Sequence, residues 1–236
     1  MAGPALFLDI DGTLLDHQAH PDAVKVDETL RGLIREGYAK LDGALALVTG
    51  RSISMADRLF LPLELPVAGL YGVEMRLKPG DPFTPSTETP ALTAVIERLV
   101  GRYAGIEGVY FERKGAVLAV HTRGAPEYLE EVMGLAEEAL PGLGDYRIIA
   151  GHAGFELMPI GVAKAVAIDR FMQIDPFKGR EPIFIGDDTS DESGFEHVNT
   201  VGGRSIRVKP QGPTAAKESL KNVAAVHDLI AEIAGL

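Results

Sequence analysis

An α/β fold is predicted by three observations. Short apolar runs, Ala5-Leu6-Phe7-Leu8, Ala44 to Val48 and Ile183-Phe184-Ile185, read as strands buried on both faces. They alternate with stretches whose apolar residues recur at helical spacing, as a mostly parallel sheet covered on both sides requires. Acidic or hydroxyl residues follow each run directly, where open sheets of this kind place a ligand, beyond the carboxyl ends of the strands. Together these predict a Rossmann-like parallel-sheet core with an inserted α+β cap domain.

Taken in order, the first strand Ala5 to Leu8 ends in Asp9-Ile10-Asp11-Gly12-Thr13. Asp27 is placed to cap a helix whose Leu30, Leu33, Ile34 and Tyr38 share one face. The second strand runs into Thr49-Gly50-Arg51, and Ser52 then caps a helix carrying Met55 and Leu59. Val67 to Leu70 and Glu74 to Leu77 read as further strands. After the Pro- and Thr-rich stretch Pro79 to Pro90 the rhythm changes. Thr89-Pro90 opens a helix with Leu92, Val95, Ile96, Leu99 and Tyr103, followed by strands Val109 to Arg113 and Ala116 to Thr122. The pattern repeats with a helix opened by Pro126, carrying Leu129, Val132 and Leu135, and strands Tyr146 to Ala150 and Phe155 to Met158. Helix-strand-strand twice over is a compact α+β unit, so the boundaries expected are a core of residues 1–83 and 160–236 and a cap of residues 84–159. Gly and Pro near residues 79–82 and in Pro159 to Gly161 suit either hinges or ordinary loops at the two crossings. The core resumes with a helix from Gly161 to Gln173 that starts near Lys164, the strand Pro182 to Ile185, the acidic run Gly186 to Glu192 and the strand Ser205 to Val208. Helices are expected to close the chain at Pro213 to Lys221 and Asp228 to Ala234.

Composition narrows the function. With 46% hydrophobic and 24% charged residues in 236, the chain has the length and apolar content for a packed core and lacks the signature of disorder. A net charge of −11 argues against nucleic acid or an anionic membrane as partner. No cysteine is present, which excludes disulfides, a thiol nucleophile and thiolate-bound zinc. Met-Ala-Gly-Pro runs straight into the first strand, and no apolar stretch approaches the ~20 residues of a membrane span, so a cytoplasmic protein is expected. The oligomeric state is not legible.

The motifs carry the chemistry. Side chains two apart on an extended segment share a face, so Asp9 and Asp11 can enter one cleft, with Gly12 turning the chain behind them. Those acids, answered by Asp187-Asp188-Thr189-Ser190-Asp191-Glu192, call for a hard divalent cation with oxygen ligands, for which Mg2+ is the best fit. Each part has a plainer reading: Asp-Gly is a hairpin signal, Thr-Gly-Arg leads into a helix cap, and a lone lysine on a helix is often a solvated face. The ordered set Asp-x-Asp, Thr49, Lys164 and acidic cluster resembles the four motifs of haloacid-dehalogenase-type phosphatases, from about Leu6 to Val208. That resemblance implies Asp9 as nucleophile, Asp11 as general acid and base, and Thr49 and Lys164 at the phosphoryl group. It implies a metal held by the Asp9 side chain, the Asp11 backbone carbonyl and Asp187, with Asp188 and Asp191 steadying bound waters.

A finer resemblance concerns the substrate. Asp42 through Ser52, Glu112-Arg113-Lys114-Gly115, and Gly186 through Phe195 with Val198-Asn199 and Gly202-Gly203 resemble the trehalose-6-phosphate phosphatases. The implied partner is a small sugar phosphate, with Gly50 and Arg51 near its phosphate and Arg113, Lys114, His121 and Glu156 on its sugar hydroxyls. Other readings stay open: Arg51 on a structural carboxylate, Arg113 and Lys114 as exposed charges at a turn, His121 packed within its strand, Glu156 facing solvent. Tyr71, Thr122, Met158 and His152 stand where this family commonly has other residues, and Ala165 and Ser190 are milder departures. They leave the reaction in place and keep a related glycosyl phosphate as an alternative substrate. A sugar phosphomutase and a catalytically silent binding domain are the readings from other classes.

Overall fold

The computed structural model describes residues 3–17, 24–151 and 153–236, and the chain divides into two compact units, residues 1–84 with 163–236 and residues 85–162. The first unit holds a seven-stranded sheet. Its strands are β1 (Ala5–Leu8), β2 (Leu45–Val48), β3 (Val67–Gly69), β4 (Glu74–Arg76), β9 (Pro182–Gly186), β10 (Arg204–Val208) and β11 (Glu218–Leu220), in the spatial order β11-β10-β9-β1-β2-β3-β4. All pairings are parallel except β3 with β4.

Alternation along the buried strands sends their side chains to two separate cores. Leu6, Leu8, Leu45, Leu47, Ile183 and Ile185 face α1 (Glu28–Lys40), α2 (Ile53–Phe60) and α7 (Val223–Ala234), meeting Ile34, Phe60 and Ile230. The opposite face presents Phe7, Phe184 and the small Ala44, Ala46 and Ala68 to α5 (Lys164–Met172) and α6 (Glu192–Thr200). Alanines there leave room for Phe171 and Phe177, whose rings pack against Phe7 at centroid distances of 5.9 and 5.5 Å. The expected caps form: Asp27 accepts from the Leu30 amide and Ser52 from the Met55 amide.

The second unit is a four-stranded antiparallel sheet. Its strands are β5 (Tyr110–Lys114), β6 (Val117–His121), β7 (Tyr146–Gly151) and β8 (Gly154–Pro159), in the order β5-β6-β8-β7. Leu118, Val120, Phe155 and Leu157 pack on Leu92, Ile96 and Leu99 of α3 (Pro90–Tyr103) and Val132 and Ala136 of α4 (Leu129–Leu143). Residues in register with the alternate positions, among them Glu112, Ala119 and Glu156, form the sheet's other face.

Two elements depart from expectation. No helix forms over 213–221: Glu218–Leu220 is the edge strand β11, pairing in parallel with Ile206 to Val208. The Ala-Ala-Lys-Glu composition favours a helix, but the Glu192 carboxylate accepts from the Ala215 amide and the Thr214 hydroxyl, and Ser205 Oγ accepts from the Lys217 amide. Those bonds hold the segment extended against β10. The helix α6, directly after the acidic run, is additional to the expected elements, and its approach is marked by a capping box of Asp188 and Asp191.

Candidate active site

Strand order reverses at β1: the chain builds outward through β2 and β3 on one side and through β9 and β10 on the other. At that switch point the carboxyl ends of β1 and β9 emerge side by side, in the register Leu8 with Ile185, where open sheets of this kind bind their ligands. Asp9 follows β1 and its amide donates to the Ile185 carbonyl at 3.0 Å. Asp187 follows β9. Lys164, the first residue of α5, is 2% exposed and its Nζ donates to Asp9 Oδ1 at 2.7 Å and to Asp191 Oδ1 at 2.6 Å. One oxygen each from Asp9, Asp187 and Asp191 lie within 4.8 Å of one another.

The backbone is shaped around these groups. Asp191 Oδ2 accepts from the amides of Asp187 and Asp188, so the acidic loop folds around one buried carboxylate. Gly12 has φ 82°, and a Cβ there would lie 2.0 Å from Asp187 Oδ2. Only glycine satisfies both the turn and that approach. Burial holds the Asp9 carboxyl well above its usual range, with Lys164 opposing and Asp191 and Asp187 adding to the rise. Asp191 is likewise raised by burial. Burial pulls the Lys164 ammonium down, but Asp191 and Asp9 more than offset it and the net shift is upward. A compact cluster of three acids with one cation therefore carries excess negative charge that a divalent ion would relieve. Asp187 Oδ1 is buried without a hydrogen-bond partner among the described residues, an open ligand position on the donor type such an ion prefers. The residues fit a hard cation.

Asp11 stands apart from this cluster in its side-chain contacts. Arg51, 7% exposed, forks onto it, with Nε on Oδ2 and Nη2 on Oδ1 both at 2.7 Å. Thr49 is buried at the end of β2, where its Oγ1 accepts from the Arg51 amide at 3.1 Å, and Gly50 lies between them. Asp188 is exposed and binds the Thr189 amide and hydroxyl. His17, which sequence reasoning passed over, places Nε2 2.9 Å from Asp187 Oδ2, and that bond raises its pKa. A histidine six residues beyond Asp11 carries no local signal of such a contact.

In the second unit the expected residues divide. Lys114 Nζ lies 3.3 Å from both Glu112 and Glu156, and His121 Nε2 lies 3.1 Å from Glu112. These four share one face. Glu112 was missed as a separate residue, although period-two alternation from Lys114 would have found it. Burial works to raise Glu112, but His121 and Lys114 lower it overall; burial works to lower Lys114, but Glu156 and Glu112 raise it overall. Arg113 alternates to the opposite face, where its guanidinium pairs with Glu88 through Nε at 2.7 Å and through Nη2. Met158 is buried, Thr122 is 1% exposed, and His152 lies outside the described residues.

Comparison with known proteins follows the same lines. The Trehalose-phosphatase family model matches residues 7–224. A probable trehalose-phosphate phosphatase of Sinorhizobium fredii is 43% identical over 233 residues, covering 98% of this chain and 87% of that protein. The trehalose-6-phosphate phosphatase of Escherichia coli K12 is 38% identical over 223 residues, covering 93% of this chain and 82% of that one. Among solved structures, the C-terminal domain of the Candida albicans trehalose-6-phosphate phosphatase superposes with a TM-score of 0.86 over 99% of this chain and 93% of that one. At 18% identity it bears on the fold alone.

Proposed function

The chain belongs to the trehalose-phosphatase family, and on that footing we propose that it hydrolyses trehalose 6-phosphate to trehalose and inorganic phosphate through an aspartyl phosphate on Asp9. The observation that carries the chemistry is the Lys164 ammonium pinned between Asp9 and Asp191, with Asp187 beside them beyond the carboxyl ends of β1 and β9. A carboxylate held by one ammonium hydrogen bond keeps its other oxygen available to attack phosphorus.

In the first half-reaction an Asp9 oxygen bonds to phosphorus as the bond to the sugar oxygen breaks, and Asp11 gives that oxygen its proton. In the second, Asp11 takes a proton from water as the water oxygen attacks phosphorus and the Asp9 oxygen leaves. Arg51 orients Asp11 through both carboxylate oxygens, and we assign the Thr49 hydroxyl and the Gly50 backbone to the phosphoryl oxygens. Lys164 offsets charge on both nucleophile and phosphate. Asp9, Asp187 and the Asp11 backbone carbonyl would hold Mg2+, with Asp188 and Asp191 supporting its waters, and the ion supplies neutralisation of the phosphate charge. On residues 84–159, read as the cap, we assign Lys114, His121 and Glu156 to the sugar hydroxyls, joined by Glu112, and withdraw Arg113 because it lies on the other face.

The test is phosphate release, with and without Mg2+, from trehalose 6-phosphate beside glucose 6-phosphate, sucrose 6-phosphate and mannosyl-3-phosphoglycerate. Metal-dependent preference for the first is expected, and Asp9→Asn should lower kcat by at least about a thousandfold while still binding substrate. Turnover by Asp9→Asn would remove the nucleophile assignment; preference for another ester would move the error to the sugar-reading face.

A further inference from the structure

Beyond β3 the chain makes a turn that an L-residue sequence avoids. Leu70, Tyr71 and Gly72 follow one another with φ of 49°, 59° and 103°. Glycine takes such angles freely, but a buried leucine and an aromatic residue in that region are unusual and strained. The turn is nonetheless fastened at several points. Leu70 is fully buried and its amide donates to the Arg51 carbonyl at 2.9 Å, while the Tyr71 amide donates to the Thr49 carbonyl at 3.0 Å. A Cβ on Gly72 would lie 3.1 Å from Ala167 Cβ, so α5 packs directly on the turn. The strained residues thus join the Thr49-Gly50-Arg51 segment to the helix that begins with Lys164.

The Tyr71 side chain closes the same connection. Its hydroxyl lies over Gly50, where an added Cβ would sit 2.5 Å from it, so a side chain at residue 50 would displace the tyrosine above it. Its ring centroid is 6.0 Å from Lys164 Nζ, and the Phe184 centroid is 5.9 Å from the same nitrogen. The ammonium is therefore bounded by two carboxylates and two aromatic rings, which limits where it can move.

We propose that Tyr71 is a positioning residue for phosphoryl transfer, its ring and left-handed backbone holding Lys164 and the Thr49–Arg51 turn in one fixed relation. The inference rests on the reading above, in which those two elements meet the phosphoryl group. Strain is retained because removing it would loosen the two groups that must converge on one phosphate.

Tyr71→Gly removes both contributions at once, since glycine relaxes the backbone and deletes the ring. The assay is hydrolysis of p-nitrophenyl phosphate with Mg2+, which omits the sugar. Tyr71→Gly should melt no lower than the parent protein while its kcat falls about ten- to a hundredfold, with KM changed less than kcat. Tyr71→Phe should keep kcat within about threefold, because the ring remains. Full kcat in Tyr71→Gly, or equal losses in Tyr71→Phe and Tyr71→Gly, would overturn the proposal. If Tyr71→Gly does not fold, Tyr71→Asn is read in its place, asparagine being tolerant of the left-handed region. Asp9→Asn run alongside keeps the two readings distinct: an active Asp9→Asn refutes the mechanism, whereas an inactive Asp9→Asn with an unimpaired Tyr71→Gly refutes only the role of Tyr71.

Discussion

Among the described residues Lys164 is the one cation in contact with both Asp9 and Asp191, and all three side chains are nearly or fully buried. Substituting methionine would preserve the length of the stem and remove the charge, leaving two carboxyls in a site that already pushes them toward protonation. Breaking a buried pair from one side costs more than the pair contributes as a unit, because the remaining charge has lost water and gained no partner. Lys164→Met is expected to lower unfolding free energy by about 3–5 kcal/mol, read from urea titration, and to abolish phosphate release. Unchanged stability would mean that the Asp9 and Asp191 carboxyls are not held by this ammonium. The sequence made Asp9, Lys164 and Asp187 legible because each stands at the end of an apolar run or the start of a helix. It did not make the Asp11–Arg51 fork legible, since Arg51 had two available partners in a one-dimensional reading and only the fold selects the carboxylate.

At the scale of the element, β5 decides which side chains act together. Successive residues point to opposite faces, so Arg113 and Lys114 cannot serve one ligand in the same way despite being neighbours. Glu156→Ala should lower kcat/KM for trehalose 6-phosphate by about ten- to a hundredfold while p-nitrophenyl phosphate hydrolysis changes less than about threefold. Arg113→Ala should leave that discrimination intact and change stability little, because its pairing with Glu88 is made at an exposed guanidinium. Equal selectivity losses in the two variants would remove the distinction between the faces. The same sheet face predicts a pH response. The folded-state pKa of Glu112 is depressed, so its contribution to stability is present above the ordinary carboxylate range, about 4.3, and is lost as pH falls through the lower folded value. The difference in Tm between the parent protein and Glu112→Gln should therefore narrow from pH 7 to about pH 3.5; a constant difference would show that the depression is absent. Strand β11 shows where local reading ends. Residues 213–221 have helical composition, but their hydrogen bonds are made with Glu192 and Ser205, far away in sequence, and those partners select the extended form. By contrast α3 was legible to its first residue, because Thr89 and Pro90 act within one turn of the helix they start.

Across the whole molecule the apolar side chains gather into separate cores, two flanking the seven-stranded sheet and one beneath the four-stranded sheet. The residues proposed for phosphoryl transfer, Asp9, Thr49, Lys164 and Asp187, all belong to the first unit, and the face carrying Lys114, His121 and Glu156 belongs to the second. The change of rhythm after the Pro79 to Pro90 stretch, to helix-strand-strand twice over, falls within the second unit. The partition also has a thermodynamic consequence. Leu157 is fully buried in the core of the second unit, and truncating it leaves a void whose cost falls first on the strands and helices that line it. Leu157→Ala is expected to destabilise that unit by about 2–5 kcal/mol, so amides of β5, β6 and β8 should lose hydrogen-exchange protection while those of β1 and β9 keep theirs. Hydrolysis of p-nitrophenyl phosphate should persist under conditions where selectivity for trehalose 6-phosphate declines. If protection instead fell equally in β1 and β9, the two sets of strands would form one cooperative unit, and catalysis and sugar reading could not be altered independently by substitutions in their cores.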